Sequence, residues 1–230
     1  SSHLLRDSSG TVLGVEGIFR DISKRHKAEE KNREHLAEME FLSRKAREFL
    51  ELPSGADIFH AILDGLRELV PDSIITVSSF DYRTGTIITR SVWSNEVATL
   101  FKQLTGEDLI GKMFSVTDPD AIINMKAGRI RRIPGDVYYI MFGMVSMAIS
   151  RQIEQSFEMG EDKYAVGLVY RDRLLGSVLI IPKKGMPLLH QNLIEIYLRQ
   201  ASITLAQRLD ADALRQSEDR FRGIIEDQSE

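Results

Sequence analysis

The sequence predicts an α+β fold, an α/β sandwich in which a compact mixed body lies between two long helices. Three observations predict it. One stretch ending before Pro53 and another running from Leu188 to about Ile225 are almost without helix breakers. Between them lie pairs of β-rich runs joined by turn-forming residues. A further segment, Val145 to Phe157, carries Val145, Ile149, Ile153 and Phe157 every fourth residue, the spacing of one apolar helix face.

The first 27 residues read as a hairpin. Asp7-Ser8-Ser9-Gly10 has turn composition, and Leu13, Val15 and Phe19 alternate with Gly14, Glu16, Ile18 and Arg20. A lone hairpin is marginal in water, so it either packs on the remainder or belongs to a parent sheet. Asp21 or Ser23 caps the helix that follows, which has no Gly or Pro until Pro53. Within that helix Met39, Leu42, Ala46 and Phe49 form a 3-4-3 seam. The seam suits either a parallel partner helix or a helix lying on its own domain.

Pro53-Ser54-Gly55 ends that run, and Ile58, Ile62, Leu66 and Leu69 mark an amphipathic helix up to Pro71. Ser73–Phe80 and Thr86–Trp93 form a hairpin about Asp81–Gly85, followed by a helix over Asn95–Leu104. Asp108–Pro134 is broken by Gly111, Pro119, Gly128 and Pro134 into pieces that periodicity does not assign. Tyr164–Tyr170 and Leu174–Ile181 flank the turn Arg171-Asp172-Arg173. Their nearly continuous apolar runs predict central strands, covered on both faces or lining a cavity on one. Leu193, Ile196 and Ile203, on the early part of the last helix, are the second candidate seam for dimer pairing and signalling; this helix grows more charged toward Asp219 and leaves the body.

Composition narrows the function classes. The 230 residues are 43% apolar and 28% charged, as in a soluble globular chain. No cysteine is present, which excludes disulfides, thiolate zinc, iron–sulfur clusters, a cysteine nucleophile and a thioether-linked chromophore. A net charge of −4 carries no electrostatic case for nucleic acid or anionic lipid, and the cluster Arg129, Arg131 and Arg132 is too short to be a binding stripe. No apolar run approaches the ~20 residues of a membrane span.

Taken together, these segments resemble the sensor histidine kinases that string PAS and GAF domains before a kinase core, with the methanogen-type, archaeal members nearest in pattern. Asp7–Gly10 leading to Gly14–Ser23 resembles the end of a PAS domain, with Asp21 and Ser23 in its Asp-Ile-Thr junction and Ser23 in place of Thr. Tyr164–Tyr170, Leu174–Ile181 and Gln200–Ala206 resemble the last strand pair and final helix of a GAF domain. Ala213–Arg222 is similar to the helix that begins a following PAS domain. The implied plan is a PAS hairpin over 1–27, a signalling helix over 28–52, a GAF domain over 53–208, and a helix opening the next PAS domain over 209–230.

The resemblance implies a GAF-like antiparallel sheet of about six strands, with the terminal helices packed on one face and a ligand pocket on the other. It also implies a cytoplasmic, dimeric sensory module. Its partners would be adjacent PAS and kinase domains and, through the parent kinase, a response regulator. Another signalling enzyme, a cyclic-nucleotide synthase or phosphodiesterase, is an alternative parent, and a ligand-free spacer and dimerisation element an alternative role.

Candidate chemistry is sparse. Neither His26, followed by Lys-Ala-Glu-Glu, nor His35, followed by Leu-Ala-Glu-Met, fits a phosphoacceptor motif, so the kinase core is expected outside this segment and no catalytic residue is assigned. The Asn-Lys-X-Asp signature of cyclic-nucleotide GAF domains is not found. A noncovalent haem would need one imidazole, and His60 and His190 read rather as solvated or capping. No cofactor is required, and no metal-ligand spacing occurs. A small-molecule pocket would draw rigid walls from Trp93, Tyr138, Tyr139 and Phe142 and a counter-charge from Arg131 or Arg132; otherwise these are ordinary core and a solvated strand edge. Met141, Met144 and Met147 read as core filling. An enzyme using carboxylates in Asp108–Asp136 finds no organised spacing to support it.

Overall fold

The computed structural model describes residues 2–17, 23–116 and 118–227. The chain divides into two compact units, Ser1–Ser43 and Arg44–Glu230. The division falls inside the first long helix, where the sequence pattern suggested boundaries at its two ends.

The first unit holds β1 (Ser2–Arg6) and β2 (Val12–Gly17), an antiparallel pair, and the N-terminal part of α1 (Ser23–Glu51). Its turn is organised by Asp7, whose carboxylate accepts from the Ser9 and Thr11 amides at 2.8 and 2.9 Å. Ser23 is the first residue of α1, and Asp21, the other junction residue, lies outside the described residues.

The second unit begins with the last turns of α1 and continues with α2 (Ile58–Leu69), β3 (Ser73–Asp81), β4 (Thr86–Trp93), α3 (Asn95–Thr105), β5 (Met113–Ser115) and α4 (Pro119–Lys126). It ends with β6 (Arg131–Ile133), α5 (Val137–Ile140), α6 (Met147–Ser156), β7 (Lys163–Tyr170), β8 (Arg173–Pro182) and α7 (Gln191–Asp227). Its strands form one antiparallel six-stranded sheet in the order β5-β4-β3-β8-β7-β6. Helix starts carry the expected caps: Asp57 for α2, Ser94 for α3, Asp118 with Pro119 for α4 and Ser146 for α6.

The central strands alternate between two buried layers. Ile75 and Val77 on β3, paired with Ile180 and Val178 on β8, are fully covered on the side of α2 and α7. Opposite them α3, α5 and α6, with Phe114 of β5, form a second cluster around Phe101, Val137 and Ile153. The near-continuous apolar runs of β7 and β8 follow from helix cover on one face and, at Ala165 and Leu179, from lining a cavity on the other.

Tyr197 of α7 ties three helices together. It is 0% exposed, its ring stacks on Phe49 of α1 at 5.8 Å, and its hydroxyl donates toward the Ala61 and Ile62 carbonyls of α2 at 3.2 and 3.1 Å. Burial, reinforced by Glu48, Glu68 and Asp64, raises the phenol's pKa, so it remains a donor through neutral and alkaline pH. Phe49 and Leu193, both placed in the sequence-predicted seams, are therefore buried in this unit's own core. Leu42, Ala46 and Ile196 are half-buried, and Met39 and Ile203 are exposed.

Beside Tyr197, Lys45 is 5% exposed and pairs with Glu68 at 2.5 Å and Glu48 at 2.8 Å, while Arg44 reaches Glu68 at 2.7 Å. The Arg44 hydrogen bond, aided by Lys45, holds the Glu68 carboxyl below its ordinary value of 4.5. A carboxylate with a depressed folded pKa stabilises above its unfolded value and loses that contribution as pH falls through the folded one. The α1–α2 tie is accordingly expected to weaken progressively below about pH 4.5. Acid unfolding followed by circular dichroism checks this: Glu68→Gln should flatten the decline in that window, and an unchanged profile would contradict it.

Candidate functional site

Between the sheet and the layer formed by α3 to α6 lies a cavity of about 600 Å³. That is within the range of small-molecule sites. Strand register decides which side chains face it. Arg131 on β6 is in register with Ala165 on β7, Leu179 on β8 and Thr76 on β3, and all four border the cavity. Arg132 is one residue out of phase with that row and pairs with Asp162. The two arginines, interchangeable in the sequence pattern, thus have different roles.

Helix α5 covers the cavity on the far side from the sheet and brings Tyr138 and Tyr139, with the following Phe142, to its wall. Two residues of α6 hold it there. The Val137 amide donates to Glu154 Oε1 and the Tyr138 amide to Ser150 Oγ, each at 2.8 Å. Buried Lys163 faces Glu154 at 3.4 Å. These bonds satisfy amides that a four-residue helix leaves unpaired at its start. Helix α4 forms another wall and approaches β7 where Gly167 leaves room for the Met125 carbonyl.

Of the six proposed pocket residues, five border this cavity: Arg131, Arg132, Tyr138, Tyr139 and Phe142. Trp93 does not. It is in register with Ile75, which faces the helix layer, and its ring lies 3.4 Å beneath the Arg67 guanidinium of α2. There it serves helix–sheet packing through a cation–π contact. Met141 borders the cavity, whereas Met144 and Met147 are exposed. His60 is solvated beside Asp64 at 3.6 Å, away from the cavity. Among the described residues no group of three His, Asp or Glu is placed to hold a metal ion, and no helix is long and apolar enough to cross a membrane.

Two features escaped sequence reasoning. The first is a set of hydroxyls, Thr76, Ser78, Thr89 and Ser177, on the cavity's sheet wall. Their signal was the alternation of Thr76 and Ser78 with buried Ile75 and Val77. The second is Glu195 on α7, whose carboxylate accepts from the Ile130 amide at 2.8 Å and from Arg129 at 2.9 Å. It fastens the segment leading into β6 to the last helix. A contact spanning 65 residues leaves no local trace in the sequence.

No protein-family model matches the chain, and no curated protein matches it. Solved structures do. The GAF domain of an Acinetobacter phosphoenolpyruvate-protein phosphotransferase aligns with TM-score 0.50 at 10% identity, over 74% of this chain and 92% of that one. The chromophore-binding domain of a bacteriophytochrome from R. palustris aligns with TM-score 0.52 at 12% identity, over 75% of this chain and 62% of that one. The corresponding domain from Stigmatella aurantiaca gives 0.52 at 13%, over 74% and 60%. At such identities the likeness is one of architecture, and on that ground, together with the six-stranded antiparallel sheet and its flanking helices, the chain has a GAF-like fold.

Proposed function

We propose that this chain is a sensory and regulatory module, binding a small ligand in the cavity and passing its state to α7. The observation that carries the reading is the tie between them: β6 borders the cavity through Arg131, and the residues just before it are bonded to Glu195 on α7. A ligand that shifts β6 has a direct mechanical route to a helix that runs on to Asp227. Ligand control needs a differential affinity of only ~1–3 kcal/mol between two arrangements.

In this reading the chain performs no catalysis. It relays signals between PAS and kinase domains of a parent sensor histidine kinase in the cytoplasm, with a response regulator downstream, and its long helices pair in a parallel homodimer. Met39 and Ile203, exposed on α1 and α7, are the seam residues open to a partner helix. A dimer built on the buried Phe49 or Leu193 would first have to unpack the core.

Hydrogen exchange along α7, with and without saturating 1-anilinonaphthalene-8-sulfonate, tests the relay. Binding is expected to slow exchange in the first turns of α7, and Glu195→Ala should retain binding while losing that response. Binding without any change in α7 of the unsubstituted protein would overturn the relay, and failure of the dye to bind would favour the ligand-free spacer. Sedimentation over a concentration series tests the dimer, and a monomer at every concentration would exclude it.

A further inference from the structure

The sheet wall of the cavity changes chemistry along the strands. At one end Ile74 and Ile181, paired across β3 and β8, give an apolar floor. Next comes the row containing Arg131, Ala165, Leu179 and Thr76. The following row is Gly167, Ser177, Ser78 and Thr89, in register across four strands. Ser78 is 5% exposed and Thr89 3%. Both border the cavity, and among the described residues neither hydroxyl has a protein hydrogen-bond partner, nor does that of Ser177.

Three hydroxyls in one line across the cavity wall, on two buried residues and one half-buried one, offer donors and acceptors that a polar group of a ligand can engage. Hydroxyls both donate and accept, so they suit a neutral oxygen function. Asp118, the cap of α4, also borders the cavity, and its negative charge disfavours a ligand with two acid groups. The positive charge is elsewhere: Arg131 has no ion-pair partner among the described residues and lies on the cavity face of the edge strand. From β6 to β8 is two strand spacings, and to β3 three, about 10 and 14 Å. The arginine side chain spans part of that distance, and a flat apolar body fits the remainder.

We propose that the cavity takes a flat apolar monocarboxylate carrying a hydroxyl or carbonyl at the end remote from its acid, with the acid on Arg131 and the neutral oxygen on the Ser177–Ser78–Thr89 row. The inference rests on the ligand-binding reading above.

Displacement of 1-anilinonaphthalene-8-sulfonate from the full chain tests it with three probes: 6-hydroxy-2-naphthoic acid, 2-naphthoic acid and 2-naphthol. The hydroxy acid should compete about tenfold better than 2-naphthol and several-fold better than 2-naphthoic acid. Arg131→Gln should abolish the first advantage alone, and Ser78→Ala combined with Ser177→Ala the second alone. Equal competition by all three probes, or substitutions that weaken all three alike, would overturn the inference while leaving the cavity a binding site. Failure of the dye itself to bind would overturn the ligand-binding reading and this inference with it. Thr89→Val, which exchanges the hydroxyl for a methyl of the same shape, should raise the Tm of the unliganded protein; a lowered Tm would show the hydroxyl satisfied within the fold and would count against the proposed role.

Discussion

Gly65→Ala is expected to cost about 3 kcal/mol of stability, a fall in Tm of roughly 6–12 °C for a unit of this size. On an exposed helix the same change would stabilise, because glycine is a poor helix former. Here a methyl at residue 65 of α2 would lie 2.2 Å from the Tyr197 hydroxyl and 2.4 Å from the ring carbon bearing it. Tyr197 cannot retreat, since its ring is stacked on Phe49 and its hydroxyl engaged by Ala61 and Ile62. Chemical denaturation measures the loss. A double-mutant cycle assigns its cause: in a Tyr197→Leu background the alanine should cost less than about 1 kcal/mol. An equal cost in both backgrounds would show that the strain arises elsewhere.

Gly167→Ala is expected to disturb the cavity as strongly as the fold. The added methyl would lie 2.0 Å from the Met125 carbonyl oxygen at the end of α4, a contact that only backbone movement relieves. Because α4 is a cavity wall and Gly167 belongs to the row containing Ser177 and Ser78, the helix must lift away from the sheet there. The expected result is a loss of about 2–3 kcal/mol together with weaker dye binding and faster dye release. Unchanged binding at reduced stability would mean that α4 moves without opening the cavity.

Much of this architecture is legible in the sequence because the long elements announce themselves. The Asp81–Gly85 turn, the Arg171–Arg173 turn and the Gly- and Pro-poor helical stretches place β3, β4, β7, β8, α1 and α7 to within a few residues of their observed ends. The Asp108–Pro134 region resisted because β5 and β6 have three residues each and α5, just beyond, has four; such pieces are too short to display a period. These are the pieces that build the cavity rim. Tyr138, Tyr139 and Phe142 were recognisable as an aromatic cluster, but Trp93 was indistinguishable from them until register set its face. A β-bulge between Val77 and Ser78 sharpens that difficulty, since the pairing of β3 with β4 shifts there and alternation counted from one strand does not carry to the other. The seams on the long helices were ambiguous for a related reason: an apolar stripe looks the same whether its partner is the chain's own core or a second copy.

The outermost strands of the six-stranded sheet are its shortest, and β6 bears two adjacent arginines. Such margins offer little unpaired backbone for a foreign strand to zip onto, and the cationic side chains repel an identical neighbour. Self-assembly along the sheet's borders is thereby discouraged, which directs any association of copies toward the helices.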